Sequence, residues 1–196
     1  MNMNRRHVLA AFAASLAAAC SESKTRFNAI DLSGADYAQD FRMPDAEGRM
    51  RSLGEFKGQV VAVFFGFTQC PDVCPTTLAE LAEAKKQLGA RGEKVQVVFV
   101  TVDPERDTPE VLKAYVANFD ARAIALRGSP EQVAQMAKDF KVFYKKVEGK
   151  TPGSYTMDHS AATYIYDPQG RLRLYARYGS GPQALASDIG KLLDSA

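Results

Sequence analysis

Three side chains of this chain have the types and placement to do chemistry together: Cys70 and Cys74, in "GFTQCPDVCPTT", and His159, in "TMDHSAATYIYD". The cysteines lie where a continuous apolar run gives way to a helical pattern. Pro75 belongs in the first turn of that helix, since deeper inside its ring would clash and its missing N–H would cost a bond. Regular helix should therefore begin near Cys74, with Cys70 in the turn before it. Both sulfurs then sit by unpaired backbone N–H groups and the positive end of the helix dipole, which lowers a thiol pKa. The resulting thiolate is the form that binds metal or attacks disulfides.

The C-x-x-x-C spacing puts the two positions about 6 Å apart along an ideal helix axis, on one face. That separation is within the span of a disulfide and also lets two sulfurs converge on one ion. A purely stabilising disulfide fits poorly, because so small a closed loop removes little chain entropy. A peroxidase fits less well still. Peroxiredoxins place Thr three residues before the reactive cysteine, where this chain has Phe67 before Cys70 and Pro71 before Cys74.

The elements that must position these groups follow from periodicity. An extended stretch from Phe41 meets the turn signal "PDAEG" and resumes near Met50, a short hairpin. "VVAVFFGF" (Val60 to Phe67) and "VQVVFVTV" (Val95 to Val102) are apolar runs of the kind buried on both faces of a sheet. Between them Leu78, Leu81 and Leu88 mark a helix that stops at Gly89. In "DPERDTPE", Asp107 or Thr108 can cap a second helix with Pro109 in its first turn. "AIALRG" is a short strand, and Ser129, Pro130 and Gln132 open a third helix. After an irregular stretch, "AATYIYD" and "RLRLYARY" flank the turn "DPQG" as a hairpin, and a tail helix carries Leu185, Ile189, Leu192 and Leu193.

That order, βα-βα-βα-ββα behind an N-terminal hairpin, requires a sheet with helices on both faces and antiparallel closing strands. It predicts an α/β, thioredoxin-like fold with an N-terminal β-hairpin over residues 40–196, without repeats or a second domain. Ligands collect at the carboxyl ends of the strands in such sheets, which is where Cys70 and Cys74 fall. His159 precedes the closing hairpin, and in thioredoxin-like folds the loop entering that hairpin faces the cysteine turn. A cis-proline ordinarily sits there, and this sequence has none nearby.

A hydrophobic content of 46% with 24% charge suits one globular domain in 196 residues, and a net charge of +2 offers no concentrated basic surface for nucleic acid. The N-terminus says more. Arg5 and Arg6 precede an uncharged run from Val8 to Ala19, anatomy that reads as an export signal over residues 1–19, of twin-arginine type. Small residues lead to Cys20, which resembles a bacterial lipoprotein's lipidation site, although Ala17 stands where that pattern prefers Leu. An ordinary cleaved signal or an uncleaved anchor is the alternative. Residues 20–39 read as a tether, so the expected address is the periplasmic face of a bacterial membrane. In that oxidising compartment a close cysteine pair is a disulfide or a metal site.

"FFGFTQCPDVCPTTL", "VTVDPERDTP" and "MDHSAATYIYDPQG", in this order over about residues 40–193, closely resemble the Sco/SenC family of copper-handling proteins. The resemblance implies that Cys70, Cys74 and His159 are copper ligands, for Cu(I), Cu(II) or both. It implies delivery to an exported domain of cytochrome c oxidase as its binuclear copper centre matures, with a thiol-disulfide oxidoreductase role as the alternative. Another periplasmic copper carrier or a thiol reductant would then act upstream. The chemistry agrees, since two thiolates and an imidazole suit copper, whereas structural zinc normally takes four protein ligands. Asp158, beside His159, and Asp103, at the end of a central strand, are candidates to orient the ligands; a side chain turned to solvent is the alternative for Asp158. The segment Lys141 to Tyr155, with Lys145, Lys146 and Lys150, is expected to be a mobile docking surface or simply a solvated loop.

Overall fold

The computed structural model describes residues 25–195. The expected export signal and Cys20 lie outside them.

In chain order the elements are β1 (Ile30–Asp31), β2 (Arg42–Pro44), β3 (Met50–Ser52), β4 (Val60–Gly66), α1 (Val73–Gln87), β5 (Val95–Thr101), α2 (Pro109–Ala117), β6 (Ile124–Leu126), α3 (Pro130–Asp139), β7 (Tyr144–Glu148), β8 (Tyr155–His159), β9 (Ala162–Tyr166), β10 (Leu172–Arg177) and α4 (Pro182–Asp194). A six-stranded sheet runs β1-β10-β9-β4-β5-β6. Its β4, β5 and β6 are parallel, and β9 returns antiparallel beside β4. This is the expected thioredoxin-like arrangement with an N-terminal hairpin, β2–β3.

Every residue of β4 and β5 is buried, as their unbroken apolar runs require. Phe64 stacks near Phe99 on one face of the sheet, while Phe65 meets Phe140 and Tyr164 on the other. Helix α1 buries Cys74, Thr77, Leu78, Leu81, Ala84 and Lys85, a stripe at helical spacing, and packs beside α4. Thr108, not Asp107, caps α2, its side chain accepting from the Val111 N–H.

One turn design appears twice. "DAEGRMR" and "DPQGRLR" each start with a buried aspartate, with glycine three residues on at positive φ and arginines four and six residues on. Asp45 accepts from the N–H groups of Glu47 and Arg49 and from the side chains of Arg49 and Arg51. Asp167 does the same for Gln169, Arg171, Arg171 and Arg173. The second turn joins β9 to β10.

Two expectations change. The stretch read as a tether to residue 39 is part of the domain from Asn28 onward. Asp188, buried in α4, accepts from the N–H groups of Asn28 and Ala29, and Ile30 pairs with Tyr175 at the sheet edge. The irregular stretch expected before the closing hairpin instead holds a two-stranded ribbon, in which β7 pairs antiparallel with β8. Its outward residues Lys145, Lys146, Val147 and Glu148 are all exposed, so no alternation of apolar and polar residues announced it.

Candidate metal centre

The cysteine turn is built where β4 ends. After Gly66 the chain leaves the sheet, and Cys70 N–H closes a turn on the Phe67 carbonyl at 3.3 Å. Helix α1 starts at Val73, so Cys74 lies in its first turn with an N–H that no helical carbonyl can reach. That N–H points at the Cys70 sulfur, 3.4 Å away. Cys74 is wholly buried and Cys70 half-buried, and both are free thiols.

Burial and this contact separate the two cysteines chemically. The Cys74 thiol donating to Cys70, reinforced by the backbone N–H groups of Asp72 and Cys74, outweighs partial burial and draws Cys70 down to about 5. The same bond and nearly complete burial push the Cys74 thiol up. Both sulfurs are expected as thiolate ligands; without a metal the shared proton separates them, favouring thiolate at Cys70 and the thiol at Cys74, and a bound cation would favour release of that proton.

His159 ends β8. Its Nε2 lies 3.6 Å from the Cys74 sulfur, and its Nδ1 lies 3.0 Å from the Ser160 carbonyl. A carbonyl only accepts, so Nδ1 donates there and Nε2 is the ring nitrogen that faces the sulfurs. Phe64 and Phe67 meet the imidazole edge-on, with ring centroids 6.1 and 5.8 Å away, and hold its plane. The donor atoms of Cys70, Cys74 and His159 all lie within 4.8 Å of one another. Two soft sulfurs and one borderline nitrogen fit a copper ion, and half-exposed Cys70 and His159 leave an open side.

The two aspartates expected beside the ligands behave differently. Asp158 is exposed, because side chains alternate along β8 and His159 faces the other way; the Ser160 carbonyl orients the imidazole instead. Asp103 is buried and accepts from Arg106 and the Tyr155 hydroxyl rather than from Cys70, Cys74 or His159.

Two features went unread in the sequence. A Cβ added to Gly66 would lie 2.7 Å from the Cys74 sulfur, 2.9 Å from Phe99 Cε2 and 3.1 Å from Phe64 Cε1, so only glycine lets the sulfur sit against the strand. A lone glycine closing an apolar strand was the available signal. Asp107, fully buried, accepts from Thr68 N–H and Thr68 Oγ1, the latter at 2.6 Å, and from Thr101, which pins the cysteine turn to β5. Burial raises its carboxyl pKa despite these bonds.

A thioredoxin-like domain that gathers two thiols and an imidazole at the strand ends defines a class: a thiol-bearing, metal-competent member of that fold. Comparison narrows it. The SCO1/SenC family model matches residues 31–194, and the chain belongs to that family. Over 147 residues it is 41% identical to the mitochondrial SCO2 homolog of Bos taurus, covering 74% of this chain but 55% of that protein. The chain thus spans about half the length of this relative. Bradyrhizobium japonicum ScoI, solved with copper bound, aligns with a TM-score of 0.70 and 38% identity, covering 78% of this chain and 97% of that one. Apo Sco1 of Thermus thermophilus aligns with a TM-score of 0.76 and 39% identity, covering 87% and 99%.

Proposed function

We propose that this protein binds one copper ion through the sulfurs of Cys70 and Cys74 and Nε2 of His159. It passes the ion to the exported domain of cytochrome c oxidase that holds the binuclear copper centre. The observation that carries this reading is the convergence of three donors within 4.8 Å on an open side of the domain. Three ligands with free approach suit a cargo that must leave, in either oxidation state of copper, better than a closed four-ligand structural site. The copper-bound B. japonicum relative supports the choice of ion. Cys20 lipidation after export would hold the domain at the periplasmic face of a bacterial membrane, a reading that rests on the leader's residues.

The second reading is a thiol-disulfide oxidoreductase, favoured by the unequal cysteines. Half-exposed Cys70 is the attacking thiolate, and buried Cys74 resolves the mixed disulfide. The partner's disulfide becomes two thiols, Cys70 and Cys74 become a disulfide, and an external thiol must reduce them again.

His159→Ala separates the two, because electron exchange needs only the sulfurs. Copper(I) competition with a chelator should show collapsed affinity in this variant while disulfide exchange continues. Parent-like copper affinity would remove the carrier reading.

A further inference from the structure

Arg106, in the loop after β5, spans the two halves of the site. Its Nε donates to Asp103. Its Nη1 donates to Gln69 Oε1 at 3.1 Å, one residue before Cys70, and to the Tyr155 carbonyl at 2.8 Å, where β8 begins. The guanidinium carbon lies 3.6 Å from the centroid of the Tyr155 ring and 5.9 Å from that of Phe67, the ring against His159. The Tyr155 hydroxyl closes the circuit on Asp103 at 2.9 Å. One planar cation therefore grips both the residue ahead of the first cysteine and the strand that ends in the histidine. Its Nη2 is buried without an acceptor among the described residues, so the other contacts hold the group against the cost of an unmade bond. Lys146 also serves the ribbon, its ammonium lying 3.8 Å from the Tyr155 ring centroid and 3.2 Å from Glu105, but that ion pair is substantially exposed and such pairs contribute little.

We propose that Arg106 is a positioning residue whose guanidinium latches the β7–β8 ribbon to the Cys70 turn and thereby sets the gap between the imidazole and the sulfurs. The purpose of the latch rests on the copper reading; the latch itself is a property of the copper-free protein and is tested there first.

Amide hydrogen exchange on the full, copper-free chain reads it directly. In Arg106→Ala the amides of β7 and β8 should exchange at least about tenfold faster, while β4 and β5 keep their protection. Lys145→Ala, which removes an exposed cation from β7, should leave the ribbon as in the parent. The milder Arg106→Lys keeps charge and stem but lacks the planar fork, so it too should release the ribbon. Unchanged ribbon exchange in Arg106→Ala, equal loss of protection throughout the sheet, or parent-like exchange in Arg106→Lys each overturns the latch. Copper(I) competition then reads its consequence: Arg106→Ala should lower affinity in the parent and have no further effect once His159 is alanine. Equal losses in both backgrounds overturn the positioning role. Should His159→Ala alone leave copper binding intact, the ligand reading fails, and the exchange data still decide the latch.

Discussion

A single methyl group added at Gly66 tests how closely the site depends on its floor. In Gly66→Ala the new Cβ would stand 2.7 Å from the Cys74 sulfur, so the sulfur must retreat by about 0.7 Å to reach 3.4 Å, where ordinary contact begins. Cys74 has no exposure, and overpacking of this kind costs about 1–3 kcal/mol. The sulfur now sits 3.6 Å from the imidazole nitrogen, and the required displacement exceeds the roughly 0.2 Å tolerance of a metal–ligand distance. If copper must draw the sulfur back, the strain returns as about a tenfold to hundredfold loss of affinity. Urea unfolding measures the first quantity and copper(I) competition the second. Leu126→Ala is the control: this fully buried residue lies on β6, two strands from β4, and its truncation should cost about 2–5 kcal/mol while leaving copper affinity unchanged. Parent-like copper affinity in Gly66→Ala, or equal affinity losses in both variants, refutes the reasoning.

Two further outcomes follow from the electrostatics. Alkylation of Cys70 by iodoacetamide, followed by peptide mass spectrometry, should proceed at a constant rate above about pH 6 and fall as pH drops through about 5, because only the thiolate reacts. A midpoint near 8.5, the value of an unperturbed thiol, would contradict the assigned geometry. Burial alone would raise the Asp167 carboxyl, but the Arg171 N–H and the guanidinium groups of Arg171 and Arg173 outweigh it and hold the carboxyl below the usual range. The stability this contributes is complete above the unfolded-state carboxylate pKa, about 3.9, and is lost as pH falls through the lower folded value. Asp167→Ala should therefore cost about 1–3 kcal/mol at neutral pH and progressively less in acid, with copper affinity unaffected; a pH-independent loss in urea titrations would argue against the ion-paired turn.

Much of the fold could be read from local pattern because its strongest elements are fully buried. The apolar runs of β4 and β5, the leucines of α1 and the Ser129 capping box each announce themselves within a few residues. The ribbon β7–β8 and the docking of Asn28 to Ile30 did not. Their stability comes from partners far along the chain, Asp103 and Arg106 for the ribbon and Asp188 for the N-terminal segment, while their own residues are polar or unpatterned. For the same reason Asp158 looked plausible as a partner of His159: adjacency in sequence is visible, whereas the alternation that turns the two side chains apart appears only once β8 is recognised as a strand.

The amino-acid sequence by itself determined the donor types, the four-residue step between the cysteines, the strand-to-helix junction that carries them and the order of elements, since all of these follow from short-range geometry and residue chemistry. Tertiary structure alone decided that His159 arrives beside the sulfurs with Nε2 facing inward, that Cys74 is sealed against Gly66 while Cys70 stays reachable, and that Arg106 joins the two halves. Those outcomes depend on sheet order and register, which bring residues some eighty-five positions apart to within bonding reach and which no local window contains.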